Sequence, residues 1–146
     1  MISIKIQKLD VVAKTPTRGS SDAAGYDLYA GTTKEIDIAP HSTAKIPTNI
    51  AMEIPNGYFG AIYARSGLAT KKGLRPANCV GVIDSDYRGN IIVAIHNDTD
   101  EMMTIEPMER VAQIIIQPYL EVEFIEVETL NDTDRGANGF GSTGTN

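Results

Sequence analysis

The sequence predicts an all-β protein: an antiparallel, jelly-roll-like barrel with one short helix and a flexible C-terminal arm. Three observations carry this. Apolar and polar residues alternate at period two in several short stretches, Gly and Pro punctuate them every few residues, and only one segment has helical character. Strands this short at this spacing belong to sandwiches and jelly rolls. The 146 residues are most simply one domain, long enough to bury a core.

In chain order, Ile2, Ile4 and Ile6 alternate with Ser3, Lys5 and Gln7, the pattern of a half-buried strand. Thr15-Pro16-Thr17-Arg18-Gly19-Ser20-Ser21 is loop chemistry, and residues 23–30 form a short strand with Asp27 at its centre. Ile36 and Ile38, then Ile50, Met52 and Ile54, mark further strands between Pro40, Pro47 and Pro55-Asn56-Gly57. A strand over residues 58–63 leads into residues 65–73, the one helical segment, which Gly73 stops. The apolar runs at residues 80–83 and 91–95 flank Asp84-Ser85-Asp86-Tyr87-Arg88-Gly89-Asn90 and read as a β-hairpin. That hairpin would hold Asp84 rigidly at the mouth of a buried strand, half shielded from water. Residues 110–117 form an isoleucine-rich strand, and residues 122–127 form the last one.

Composition narrows the function classes. With 19 Asp and Glu against 13 Lys and Arg, the net charge of −6 argues against polymeric nucleic acid as a partner. A single cysteine, Cys79, excludes an intramolecular disulfide and suits a reducing compartment. There is no charged-then-apolar leader and no apolar run of membrane-spanning length. The expectation is a soluble protein of the cytoplasm, or of the nucleus in a eukaryote, with no membrane partner. It divides into a β domain over residues 1–130 and an arm over residues 131–146.

The arm holds four glycines and one large apolar residue, Phe140, too little to bury against its ordering entropy. Read alone it is a frayed tail. Yet Arg135-Gly136-Ala137-Asn138-Gly139-Phe140-Gly141-Ser142-Thr143-Gly144 also has the makings of a phosphate clasp. Glycines let backbone N–H groups approach an anion, hydroxyls add donors, and Arg135 adds a cation. An aromatic ring between glycines suits stacking on a base.

Taken with four other segments, this arm gives the chain a resemblance to the trimeric dUTPases over nearly its whole length. The five motifs of that family stand in order: Ala24-Gly25-Tyr26-Asp27-Leu28, Arg65-Ser66-Gly67-Leu68-Ala69, residues 81–89, Glu109-Arg110-Val111-Ala112-Gln113, and residues 135–144. Two positions depart from the pattern. Met108 stands where the family usually has Gly, and Ala64 where a Pro commonly precedes Arg-Ser-Gly.

The resemblance implies hydrolysis of dUTP to dUMP and pyrophosphate, clearing dUTP and supplying dUMP. Asp84 is then the general base for water attacking the α-phosphorus. Such a base contributes on the order of 10²–10⁴-fold in rate. Arg65, Ser66, Gly67, Gln113 and Arg135 match the family's phosphate contacts, the first three opening a short helix whose N–H groups face an anion. A Mg²⁺ ion held mostly by the triphosphate would be reached through water by Asp27. Read without the family, Asp27 is equally an acid satisfied by backbone or by an arginine. Arg110, as a structural ion pair, and Lys71 are read as scaffold, and His41 and His96 as structural.

By the same resemblance the backbone of Gly81, Val82, Ile83 and Ile92 pairs with uracil, and Asn78 reads the base. Tyr87 lies under deoxyribose, where a 2′-hydroxyl would clash. Phe140, with Gly141, Ser142 and Thr143, closes over the nucleotide. The assembly implied is a homotrimer with shared sites, in which one subunit brings the phosphate motifs, a second the uracil strands and a third its arm. Three other readings stand beside this one: a dCTP deaminase of the same fold, a binding or regulatory protein on the same scaffold, and a jelly-roll carbohydrate-binding module. The deaminases typically carry Trp-Glu-Gly where this chain has Tyr87-Arg88-Gly89. A regulatory protein partner is left open by the sequence.

Overall fold

The computed structural model describes residues 2–139. Its elements, in order, are β1 (Lys5–Lys8), β2 (Thr17–Arg18), β3 (Tyr26–Tyr29), β4 (Ile36–Ile38), β5 (Thr43–Pro47), β6 (Ile50–Glu53), β7 (Tyr58–Tyr63), α1 (Ser66–Lys72), β8 (Leu74–Pro76), β9 (Gly81–Ile83), β10 (Ile92–Asn97), β11 (Met103–Ile105) and β12 (Arg110–Pro118). A five-stranded sheet runs β2-β3-β12-β7-β9 and a three-stranded sheet runs β5-β10-β8. The pairs β1-β6 and β11-β4 complete the jelly-roll-like shell. Every pairing is antiparallel. Among the described residues no helix is long and apolar enough to cross a membrane.

The core is aliphatic. Leu28, Ile38, Ile46, Leu74, Ile95 and Ile105 are fully buried, each worth about 2 kcal/mol of transfer free energy. β12 is its spine, for Val111, Ala112 and Ile114 turn inward while the strand pairs with β3 on one side and β7 on the other. Its register shifts between Arg110 and Ala112, the kind of irregularity that re-aims a side chain. The short helix buries only Leu68 and ends at Gly73, whose left-handed φ of 63° lets its N–H return to the Leu68 carbonyl. Lys71 and Lys72 sit in the last turn, where positive charge suits the helix dipole.

Three expectations need correction. β9 and β10 are not a hairpin: β9 pairs with β7, and β10 pairs with β5 and β8. The loop between them therefore crosses from one sheet to another, and the two strands diverge. Next, the N-terminal segment is less buried than its alternation suggests, with Ile2 and Ile6 exposed. β1 pairs only with β6, and its Ile6, with Ile2 and Ile4 before it, lines a hollow of about 420 Å³ with Tyr26, Met52, Ile114 and Ile116. Finally, residues 122–127 carry no strand. Among the described residues the last strand ends at Pro118, and Phe124 beyond it is 93% exposed, because this segment finds no sheet partner there.

Candidate active site

One half of the site is a cluster of charged side chains drawn from three distant segments. Asp27 sits in β3, its side chain only 12% exposed. Its Oδ1 accepts from Arg65 Nε at 2.7 Å and its Oδ2 from Arg110 Nη1 at 3.2 Å. Arg65 also donates to the Arg110 carbonyl at 3.3 Å. Buried carboxylates require such partners, and the two arginines supply them to Asp27. Gln113, opposite Asp27 in the β3–β12 register, donates Nε2 to the Ala64 carbonyl at 2.9 Å. This ties β12 to the residue before Arg65. A side chain on Gly25 would collide with the Gln113 amide, which is why that turn into β3 is glycine.

Arg65 is also the N-cap residue of α1, with extended φ and ψ of −90° and 129°. No side chain caps the helix and no acid lies in its first turn. Unsatisfied N–H groups at such an end favour an anion. Arg65, Ser66 and Gly67 thus lie together with Gln113 and Asp27.

The other half is the opening between β9 and β10. A hollow of about 170 Å³ is lined by Val82, Ile83, Asp84, Tyr87, Asn90 and Ile92. β9 is the edge of its sheet, so one row of its backbone groups faces outward without a strand partner. Val82 of β9 and Ile92 of β10 remain 57% and 48% exposed, a large apolar exposure for strand residues. The expected half-shielded Asp84 is corrected as well: in the single chain it is exposed. Its loop is nonetheless ordered by local bonds. Tyr87 N–H donates to the Asp84 carbonyl at 3.2 Å, Arg88 to the Ser85 carbonyl at 2.7 Å, and Tyr87 Oη to the Asn90 carbonyl at 2.9 Å. A Cβ at Gly89 would strike the Tyr87 ring, so glycine is needed there too.

Asn78, two residues past the end of β8, sets its Nδ2 beside Gly81 at the start of β9, and it is not among the residues lining this hollow. Arg75 anchors that strand through a bidentate pair with Asp98, at 2.7 and 2.9 Å, which raises the guanidinium pKa. Arg135 is not brought to either half; its Nε donates to the nearby Asn138 carbonyl at 3.0 Å. Phe140, Gly141, Ser142 and Thr143 lie outside the described residues. His41 pairs with Asp100, and His96 with Thr43.

Of the two departures from the motif pattern, Met108 has a φ of 63°, the left-handed conformation that glycine adopts without penalty. Ala64 gives its backbone carbonyl to Gln113, an acceptor that proline would also supply, so nothing in the structure explains alanine there. Sequence reasoning passed over Thr48 and Asn49, whose side chains reach Ile91 and Asn90 at the far end of the Asp84 loop. A two-residue polar break between the apolar runs of β5 and β6 was the only signal.

Fold and site together define a β-barrel protein that sets a paired charge cluster at an uncapped helix start and a backbone-edged cleft on one scaffold. The family model described as dUTPase matches residues 12–144. Proteins named deoxyuridine 5'-triphosphate nucleotidohydrolase are 45% identical in Desulfitobacterium hafniense, over 99% of each chain. The mouse protein of that name is 41% identical over 99% of this chain and 86% of its own. A Staphylococcus bacteriophage 80alpha dUTPase variant solved with dUpNHpp superposes with a TM-score of 0.88 at 29% identity, over 99% of each chain. The phage phi11 dUTPase, described with a structural Mg(II) ion, superposes at 0.78 with 26% identity, over 88% of this chain and 98% of its own. The chain belongs to the dUTPase family.

Proposed function

We propose that this protein hydrolyses dUTP to dUMP and pyrophosphate, with Asp84 as the general base for water attacking the α-phosphorus. The observation that carries the reading is the divergence of β9 from β10, which leaves a base-sized hollow with a carboxylate on its rim. Unpaired backbone groups along β9 offer uracil the donors and acceptors that a neighbouring strand would. Asn78 adds a side-chain contact to the base. A site of this kind rejects a base of the wrong pattern because its own polar groups go unpaired, by as much as about 10⁴-fold. Tyr87 supplies the floor for deoxyribose and leaves no room for a 2′-hydroxyl.

Arg65, the first turn of α1 and Gln113 hold the phosphate chain, joined by Arg135 and by Phe140, Gly141, Ser142 and Thr143 when the arm of residues 131–146 closes and excludes water. Asp27 holds Arg65 in position. Among the described residues no group of three or more His, Cys, Asp and Glu could hold a metal ion. A Mg²⁺ ion fits this donor set only as a passenger of the triphosphate, carried by phosphate oxygens and water with Asp27 reached through water. When bound it neutralises phosphate charge.

The reading includes a homotrimer whose subunits share each site, working in the cytoplasm or a eukaryotic nucleus. Its support is surface that one chain leaves in water: the hollow beside β1 and the exposed Leu120, Val122, Phe124 and Ile125. Contiguous apolar exposure of this kind marks association. The test is pyrophosphate release from dUTP, the four usual deoxynucleotides and UTP, with and without Mg²⁺. Release from dUTP alone is expected. Ammonia from dCTP would move the protein to the deaminases instead.

A further inference from the structure

The turn between β5 and β6 consists of Thr48 and Asn49, and both side chains are spent on the returning end of the Asp84 loop. Thr48, almost wholly buried, donates Oγ1 to the Ile91 carbonyl at 2.7 Å, and its N–H reaches the same oxygen at 3.1 Å. This fixes the start of β10. Asn49 has a φ of 54°, a conformation asparagine tolerates better than most residues. Its Nδ2 donates to the Gly31 carbonyl at 2.7 Å, and its Oδ1 accepts from Asn90 Nδ2 at 2.8 Å.

The direction of this chain of bonds is dictated, since a carbonyl can only accept. Gly31 therefore turns the Asn49 amine toward itself, leaving the Asn49 oxygen for Asn90, which must present its own amine. The Asn90 oxygen is buried without a partner. Asn49 is thus the sole side-chain bond holding the Asn90 amide among the described residues. The main-chain carbonyl of Asn90, carried by the residue whose side chain Asn49 holds, in turn accepts from Tyr87 Oη. Gly31, Asn49, Asn90 and Tyr87 form one relay from the β3–β4 connection to the aromatic floor of the cleft.

We propose that Asn49 is a positioning residue that fixes Tyr87 through Asn90 and so sets the discrimination of deoxyribose from ribose. The inference rests on the reading of Tyr87 as the sugar contact. Asn49 itself does not line the cleft. Asn49→Gly keeps the left-handed backbone and removes both side-chain bonds, so the fold and the grip of Thr48 on Ile91 persist.

The experiment compares kcat/KM for dUTP and UTP in the full chain, with thermal melts alongside. In Asn49→Gly the dUTP-over-UTP ratio should fall about 3- to 10-fold, the span that one hydrogen bond's net worth represents, while kcat for dUTP stays near wild type. Asn49→Asp keeps the acceptor for Asn90 and should recover part of the ratio. Combining Asn49→Gly with Tyr87→Phe should add little to Tyr87→Phe alone, because both cut one relay. Should Asn49→Gly not fold, Asn90→Ala breaks the same link and should lower the ratio to a similar degree. A folded Asn49→Gly enzyme with unchanged discrimination, or with both substrates slowed equally, overturns the proposal. A wild-type protein that leaves dUTP intact overturns the functional reading itself, a different failure.

Discussion

The two halves of the site are built from opposite materials. The phosphate side is a knot of side chains: Asp27, Arg65, Arg110 and Gln113 grip one another and the backbone across β3, α1 and β12. The cleft is made of backbone, two strands that part because each is paired elsewhere, with its apolar residues in water. The difference teaches where stability and chemistry reside. Charges that must be buried are locked to partners before any ligand arrives. The edge of β9 and the apolar residues beside it stay open.

The sharpest way to break that comparison is at Asp84. Asp84→Asn should lower turnover by on the order of 10²–10⁴-fold or more, yet bind dUpNHpp as wild type does in calorimetry. Being exposed, it should change folding stability by no more than about 0.5 kcal/mol. Wild-type turnover in this variant would remove Asp84 from the mechanism. Removing residues 132–146 should leave the barrel folded by circular dichroism while hydrolysis drops severely, since neither half closes over the substrate unaided. Full activity without those residues would make the arm dispensable.

The phosphate side should respond in the reverse sense. Asp27→Asn strips the counter-charge from two arginines and should cost about 2 kcal/mol in a urea melt, together with a raised KM for dUTP. A loss below about 0.5 kcal/mol would mean that the cluster behaves as an ordinary surface pair. The smallest effect is expected at Met108→Gly. Relief of the left-handed backbone should stabilise the protein by about 1 kcal/mol, with kcat unchanged.

The same contrast explains what could be read from the chain alone. Residues 65–73 were legible as the one helical segment, which starts after Arg65 and ends at Gly73 where its sequence says it should, while the roles of Arg65, Ser66, Gly67 and Gln113 came from the resemblance alone. Strand positions followed from alternation, from Tyr58–Tyr63 to the nine residues of Arg110–Pro118. The hairpin did not. A local pattern of two apolar runs around a polar loop cannot reveal that one run pairs with Tyr58–Tyr63 and the other with Thr43–Pro47. The alternation at Ile2, Ile4 and Ile6 and the apolar run at residues 122–127 read as buried strands, yet Ile2, Ile6, Val122, Phe124, Ile125 and Val127 stay exposed among the described residues. Asp27 shows a third kind of gap, since its partners lie 38 and 83 residues away in sequence.

The role of Asp84 depends on which phosphorus water attacks. Hydrolysis of dUTP in ¹⁸O-enriched water, followed by mass spectrometry of both products, reads this directly. Attack at the α-phosphorus, aided by Asp84, places the label in dUMP and leaves pyrophosphate unlabelled. Label in the pyrophosphate would put the attack at the β-phosphorus, and the carboxylate on the rim of the cleft would then need another role.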